Sequence, residues 1–171
     1  MEFIKGRRSI RKFTNEKISE QDIKEILEAA MSAPSAANKQ TWAFVVITKR
    51  KILDKFPQFH KYTQMILQAP VAIVVCGDME KDIPRGDIPR GFWIQDCSAA
   101  TQNILLAVHA KGLGAVWCGV YPVEELVKNV RELLDLPDHI IPLNVIPIGH
   151  PAEEKPPADR FEEERIHYNK W

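Results

Sequence analysis

Arg7, Arg8, Ser9 and Arg11 place three guanidinium groups and a hydroxyl within five residues. That chemistry suits an anion. Arginine presents a planar fork of donors that matches phosphate oxygens in pairs, and a hydroxyl can fill a remaining lone-pair direction. Lys5 and Lys12 lengthen the cluster. Alone, such a run also fits a basic arm for nucleic acid or a solvated charged face. The whole chain, however, balances 23 basic residues with 23 acidic ones. Binders of the phosphate backbone carry a net basic field, so this balance argues against nucleic acid and for a site taking one small anion. A second stretch, Pro34-Ser35-Ala36-Ala37-Asn38-Lys39-Gln40-Thr41-Trp42, lies one helix further along.

Other chemistries lack the spacing they need. The five histidines show no HxxxH or HExxH pattern, so no metal site is expected and each reads as a surface or packing residue. Cys76, Cys97 and Cys118 form no CxxC pair, and their odd number fits free thiols in a reducing compartment. Cys118, between Trp117 and Gly119, reads first as a small buried hydrophobe and only second as a nucleophile. There is no GxSxG elbow and no GxxxxGK[ST] loop. A dinucleotide fold needs GxGxxG after a strand, but Gly112-Leu113-Gly114 comes before one. With no triad, metal cluster or carboxylate pair, redox chemistry carried by a bound cofactor is the natural candidate.

The elements that must position these residues follow from periodicity. Ser19 reads as an N-cap, and Ile23, Ile26, Leu27, Ala30 and Met31 form one apolar helical face that Pro34 ends. Residues 42–48 and 70–76 predict strands, the second a continuous apolar run covered on both faces. Short helices are expected around 50–56 and 60–68. Residues 77–91, with Gly77, Pro84, Gly86, Pro89 and Gly91, predict a mobile loop. A long helix over 92–111 is apolar on most sides, which fits a central position or a subunit interface, and Gly112 stops it. A strand over 114–120, an amphipathic helix over 123–134 and a strand over 140–148 complete the body. The tail from 150 to 171 is rich in proline and charge, yet Phe161, Ile166, Tyr168 and Trp171 give it apolar anchors. It either frays or docks on the body or on another subunit.

In order along nearly the whole chain, RRSIRKF, PSAANKQTW with its strand WAFVVIT, AP-VAIVV, AATQNILLA, GLGAVWCG, IGHP and the tail Arg160 resemble the FMN-dependent nitroreductase family. The length matches the compact members, which lack longer lid insertions. The resemblance implies an α+β fold, a central mixed sheet flanked by helices, in an interlocked homodimer with FMN at the interface. It implies that Arg7, Arg8, Ser9 and Arg11 bind the flavin from one subunit. Arg7 and Ser9 match phosphate contacts, and Arg11 matches a cation at the pyrimidine edge. Arg160 matches a further basic residue on the phosphate. Pro34, Ser35, Ala36 and Asn38 match a loop that packs on the flavin from the partner. Cys118 and Gly119 match a backbone segment over the ring. Thr41 stands where the family often has proline, and the segment 62–65 lacks a clear counterpart of the family's polar flavin contacts. NAD(P)H and a small electrophile, a nitroaromatic or a quinone, would be the partners, in ping-pong order and with no catalytic side chain. A flavin-binding or redox-sensing module without turnover, or a dehalogenase or flavin-modifying member of the same superfamily, are the alternatives.

The 171 residues suit one domain, with 150–171 as an arm. No apolar leader region and no run near the ~20 residues needed to span a bilayer is visible, so a cytoplasmic protein is expected.

Overall fold

Residues 1–171 are described by a computed structural model. Five strands form the sheet: β1 (Trp42–Ile47), β2 (Val71–Asp78), β3 (Gly114–Ala115), β4 (Cys118–Gly119) and β5 (Ile140–Gly149). Their order is β1-β2-β5-β3, with β4 also on β5. Every strand pair is antiparallel. The parallel part of the expected mixed sheet is confined to a single bridge between Ser9 and Ala115.

The apolar run of β2 is explained by two buried faces. Val71, Ile73 and Val75 point into a core with α2 (Glu20–Met31) and α5 (Trp93–Ala110). Ala72, Val74 and Cys76 point the other way, into a core with α3 (Arg50–Leu53), α4 (Phe56–Phe59) and α6 (Glu124–Leu134). This is the period-two alternation of a strand with no solvent face. On α2, the face read from sequence buries Ile26 and Ala30. Full burial of an isoleucine such as Ile26 stabilises by about 1.5–3 kcal/mol. The Ser19 hydroxyl accepts from the Asp22 N–H at 2.9 Å, which confirms the cap. Gly112, at φ +69°, ends α5 in the left-handed conformation that glycine adopts freely.

Four elements depart from the sequence reading. The single strand expected over 114–120 is split into β3 and β4, although both keep one register against β5. The residue facing the gap at Val116 is Pro147, which has no N–H to give the ladder. The helix expected over 50–56 is two single turns, α3 and α4, the second opened by Pro57 near its N-terminus. Residues Lys61–Leu67 are 3-10 turns with a kink at Thr63. A short helix, α1 (Glu2–Gly6), precedes the arginine cluster and was not foreseen. No helix is long and apolar enough to cross a membrane.

The tail divides in two. Its first part runs back along residues 9–14. The Thr14 N–H donates to the His150 carbonyl, and the Ala152 N–H donates to the Lys12 carbonyl, both at 2.9 Å. Its last part, 159–171, is exposed throughout, with Phe161 at 75%, Tyr168 at 83% and Trp171 at 100% of full accessibility.

Candidate functional site

The arginine segment is an added edge to the sheet. Ser9 bridges to Ala115, and the Ile10 N–H donates to the Ala115 carbonyl at 2.9 Å. The docked tail closes the other side, where the Lys155 ammonium donates to the Ser9 carbonyl at 2.7 Å. The Ser9 hydroxyl makes no hydrogen bond within the chain, so it remains available. Arg8 donates to the Pro156 carbonyl. Burial, then the neighbouring charges of Arg160 and Arg8, push the Arg7 guanidinium below its ordinary range. Arg7, Arg8 and Arg160 are therefore gathered, with no carboxylate paired to any of them. Crowded like charges are unfavourable unless an anion offsets them.

Arg11 lies on a second wall. It borders a cavity of about 580 Å³ together with His60, Tyr62, Trp117, Cys118 and Gly119. The Arg11 N–H donates to Glu153 Oε1 at 2.6 Å, which fixes its backbone. Burial pushes the Cys118 thiol up to about 11, with the Arg11 charge acting the other way. The thiol is protonated at neutral pH and donates to the Tyr62 carbonyl at 3.3 Å. This is the small buried residue that sequence reasoning preferred to a nucleophile. The segment 62–65 borders the same cavity through Tyr62, Gln64 and Met65.

The loop 34–41 is a third piece. Ala37, Asn38 and Gln40 all have positive φ, at 51°, 54° and 51°. Each such non-glycine residue costs on the order of 1–3 kcal/mol, and the surroundings must over-determine it. They do so with named bonds. Asp96, 3% exposed, accepts from the Ala36 N–H and the Thr41 hydroxyl, each at 2.9 Å. The Ser35 hydroxyl accepts from the Gln40 N–H at 3.0 Å. Asn38 Oδ1 accepts from Gln40 Nε2 at 2.9 Å. Pro34 is exposed where α2 has ended. The 77–91 loop, expected to be mobile, is fastened here. Arg85 donates to the Ala37 carbonyl at 2.8 Å, and the buried Lys39 ammonium donates to the Pro89 carbonyl at 3.0 Å.

The structure does not bring all predicted site residues together in one chain. The 34–41 loop is tied to Asp96, near the start of α5. Arg7 and Arg8 share a cavity with His109, near its end. Thirteen residues of α-helix separate Asp96 from His109, which is about 20 Å. Arg7, Arg8, Ser9 and Arg160 form one group; Arg11, Cys118 and Gly119 form another along the same edge; Pro34, Ser35, Ala36 and Asn38 stand apart.

Sequence reasoning missed three residues here. Asp96 had a signal, because a lone acid in a helix apolar on most sides must find buried partners. Lys155 sat among tail charges that looked solvated. His60 had no motif, yet it is 2% exposed and bonded to Gly119. Asp78 and Glu80, at the end of β2, and His139, far from them in sequence, also bring ligand-type atoms within 4.8 Å of one another, partly exposed.

Comparison with known proteins gives this geometry its context. A provisionally named NADH dehydrogenase/NAD(P)H nitroreductase of Methanothermobacter thermautotrophicus is 50% identical over 171 residues, covering 100% of this chain and 87% of its own. A crystal structure from Bacteroides thetaiotaomicron, with the same provisional name, superposes with a TM-score of 0.92 at 41% identity, covering 99% of this chain and 96% of that one. An FMN-dependent nitroreductase of Clostridium difficile R20291 gives 0.88 at 31% identity, covering 99% and 98%. The family model described as the Nitroreductase family matches residues 4–59 and 55–150. These matches span the arginine segment, the strained loop and the β4 wall alike, and by them the chain belongs to the nitroreductase family.

Proposed function

We propose that this chain binds FMN and acts as a cytoplasmic homodimeric NAD(P)H oxidoreductase of nitroreductase type. The observation that carries the reading is the group Arg7, Arg8 and Arg160, none of them ion-paired to a carboxylate, beside the free Ser9 hydroxyl. A phosphate dianion is the ligand that such donors fit. Charge-assisted hydrogen bonds to a charged partner contribute roughly 1.5–3 kcal/mol each. Arg11 would then reach the ring rather than the phosphate, since it lies beside Cys118. A fixed cation at the pyrimidine edge stabilises negative charge there and raises the reduction potential of the site. The 118–119 backbone would support the ring, held in turn by β5 and by the 60–62 turn. The strained loop 34–38 would cover the ring from the second subunit, because within one chain it lies about 20 Å from Arg7 along α5. Bound there, FMN would supply two-electron redox chemistry between NAD(P)H and a nitroaromatic or quinone, in ping-pong order.

The test is the absorbance spectrum of the purified protein, with titration of FMN into any colourless fraction. The expected result is a yellow protein with about one FMN per chain. A colourless protein that cannot be reconstituted overturns the reading. Steady-state NAD(P)H oxidation with an added quinone then separates an enzyme from a flavin-binding module without turnover.

A further inference from the structure

His60 is buried at 2% exposure, and its Nε2 lies 2.7 Å from the Gly119 carbonyl oxygen. A carbonyl only accepts, so Nε2 carries the hydrogen. The other ring nitrogen, Nδ1, faces the Tyr62 N–H at 3.4 Å and is the acceptor. The tautomer is thus set by its two partners. The His60 backbone is itself held in place, because the Thr63 hydroxyl donates to the His60 main-chain carbonyl at 2.7 Å.

The Gly119 carbonyl belongs to the same planar peptide as the Val120 N–H. That N–H donates to the Leu143 carbonyl at 2.9 Å. One peptide plane is therefore clamped at both ends, by His60 on one side and by the β5 backbone on the other. Cys118 adds a further tie to the same turn through the Tyr62 carbonyl. Gly119 has no side chain and its neighbourhood is open, with nothing within 4 Å of where a Cβ would sit. Sterics do not hold this residue; the clamp does.

We propose that His60 is a positioning residue for the flavin reaction: its donated hydrogen bond fixes the Gly119 peptide and so the 118–119 backbone that supports the ring. The proposal rests on the FMN reading above. His60 borders the cavity proposed for the ring and not the Arg7, Arg8 and Arg160 group, so phosphate affinity is carried elsewhere. It acts on the register between the ring and the incoming nicotinamide.

Three variants separate donation from packing. His60→Gln keeps an N–H donor near the Nε2 position. His60→Asn is polar but too short to reach. His60→Phe fills the space and donates nothing. Amide exchange at Val120 in the FMN-free protein reads the clamp directly. Exchange should quicken by about tenfold in His60→Asn and His60→Phe, the cost of one hydrogen bond, and by much less in His60→Gln. Stopped-flow reduction of the FMN-loaded protein by NAD(P)H should slow by about tenfold or more in the same two variants and recover in His60→Gln. FMN affinity, followed by fluorescence quenching, should change less than about threefold in all three. Unchanged Val120 exchange in His60→Asn overturns the clamp, whether or not FMN binds. Equal slowing of reduction in Gln, Asn and Phe variants overturns the donor role. Failure of the wild type to take up FMN, with Val120 exchange altered as expected, overturns the function reading and leaves the clamp established.

Discussion

Ile10 lies where a side chain on Gly114 would have to go. A Cβ on that glycine would sit 2.7 Å from Ile10 Cγ2, closer than real Cβ atoms approach. Gly149, directly opposite Gly114 in the sheet, stands in the same relation to the Phe13 ring, at 2.9 Å. The segment that carries Arg7, Ser9 and Arg11 is therefore seated over two facing glycines. Gly114→Ala should lift it, at a cost of about 1–3 kcal/mol for overpacking. FMN affinity should fall with stability. The double variant Gly114→Ala, Ile10→Ala should recover both, and a double-mutant cycle by urea unfolding and FMN titration measures the coupling. Additive effects would show that the glycine does not seat the arginines.

Arg7 and Arg11 should fail in different ways when replaced by alanine. Each loss should weaken FMN binding by about ten- to a hundredfold. If Arg7 holds the phosphate as proposed, Arg7→Ala should penalise FMN far more than riboflavin. With Arg11 at the ring as proposed, Arg11→Ala should penalise both ligands and lower the flavin potential. Titration of each variant with both ligands decides the matter. Equal losses for FMN and riboflavin in Arg7→Ala would remove Arg7 from the phosphate.

Lys111, just past the end of α5, joins α2 through Asp22 at 2.8 Å and through Glu25. The Lys111 ammonium, donating to each carboxylate, holds both below their ordinary 3.8 and 4.5. A carboxylate depressed on folding stabilises above its unfolded value, and that contribution is lost as pH falls through the folded one. The same bonds raise Lys111 above its ordinary 10.5, so its share is lost only as pH rises beyond that. The Tm difference between wild type and Lys111→Met should be constant near neutrality. It should shrink as pH falls below the ordinary carboxylate values. A difference that persists in acid would assign the effect to packing.

Much of this was legible in the sequence, and the exceptions share one cause. The α2 face, the two-sided run of β2 and the Gly112 stop each follow from local periodicity or backbone freedom, which a sequence carries directly. The split between β3 and β4 depends on Pro147 arriving opposite Val116 from a strand some thirty residues away. The fastening of the 77–91 loop depends on Arg85 and Lys39 meeting carbonyls far from them in sequence. His60 gains its role only from Gly119, 59 residues on. Long-range pairing has no period to read. The arginine cluster was legible as an anion site because its residue types and spacing already constrain the chemistry. Its link to Arg160 came from the family resemblance.

The exposed anchors Phe161, Tyr168 and Trp171 and the apolar groove that Phe3 and Leu106 help to line should be covered by a second copy. Sedimentation should give a dimer, and the triple variant Phe161→Ser, Tyr168→Ser, Trp171→Ser should weaken it. Arg160 is retained in that variant, so loss of FMN would follow loss of the dimer. FMN should raise the Tm of the wild type, by about 2.7 kcal/mol of stability at a hundred times its Kd. A stable monomer that still holds FMN tightly would contradict a site shared between subunits.

Cys118 should matter through its backbone and hardly at all through its sulfur. Its thiol is pushed up to about 11 by burial, so on the order of one part in a thousand is thiolate at pH 8. Alkylation by iodoacetamide at that pH should be slow and should inhibit only by bulk. Cys118→Ala removes the sulfur and its bond to the Tyr62 carbonyl, but leaves the main chain paired with Val145. It should keep most activity. Cys118→Pro removes the N–H and constrains the strand. It should slow flavin reduction by NAD(P)H more than it weakens FMN binding, because the arginines proposed to hold the phosphate are untouched. Stopped-flow reduction of the two variants beside the wild type gives the comparison. If Cys118→Ala bound FMN normally yet reduced it about a hundredfold more slowly, the sulfur would be taking part in the chemistry, as a positioned acid or base does. The backbone assignment for this wall of the site would then be wrong.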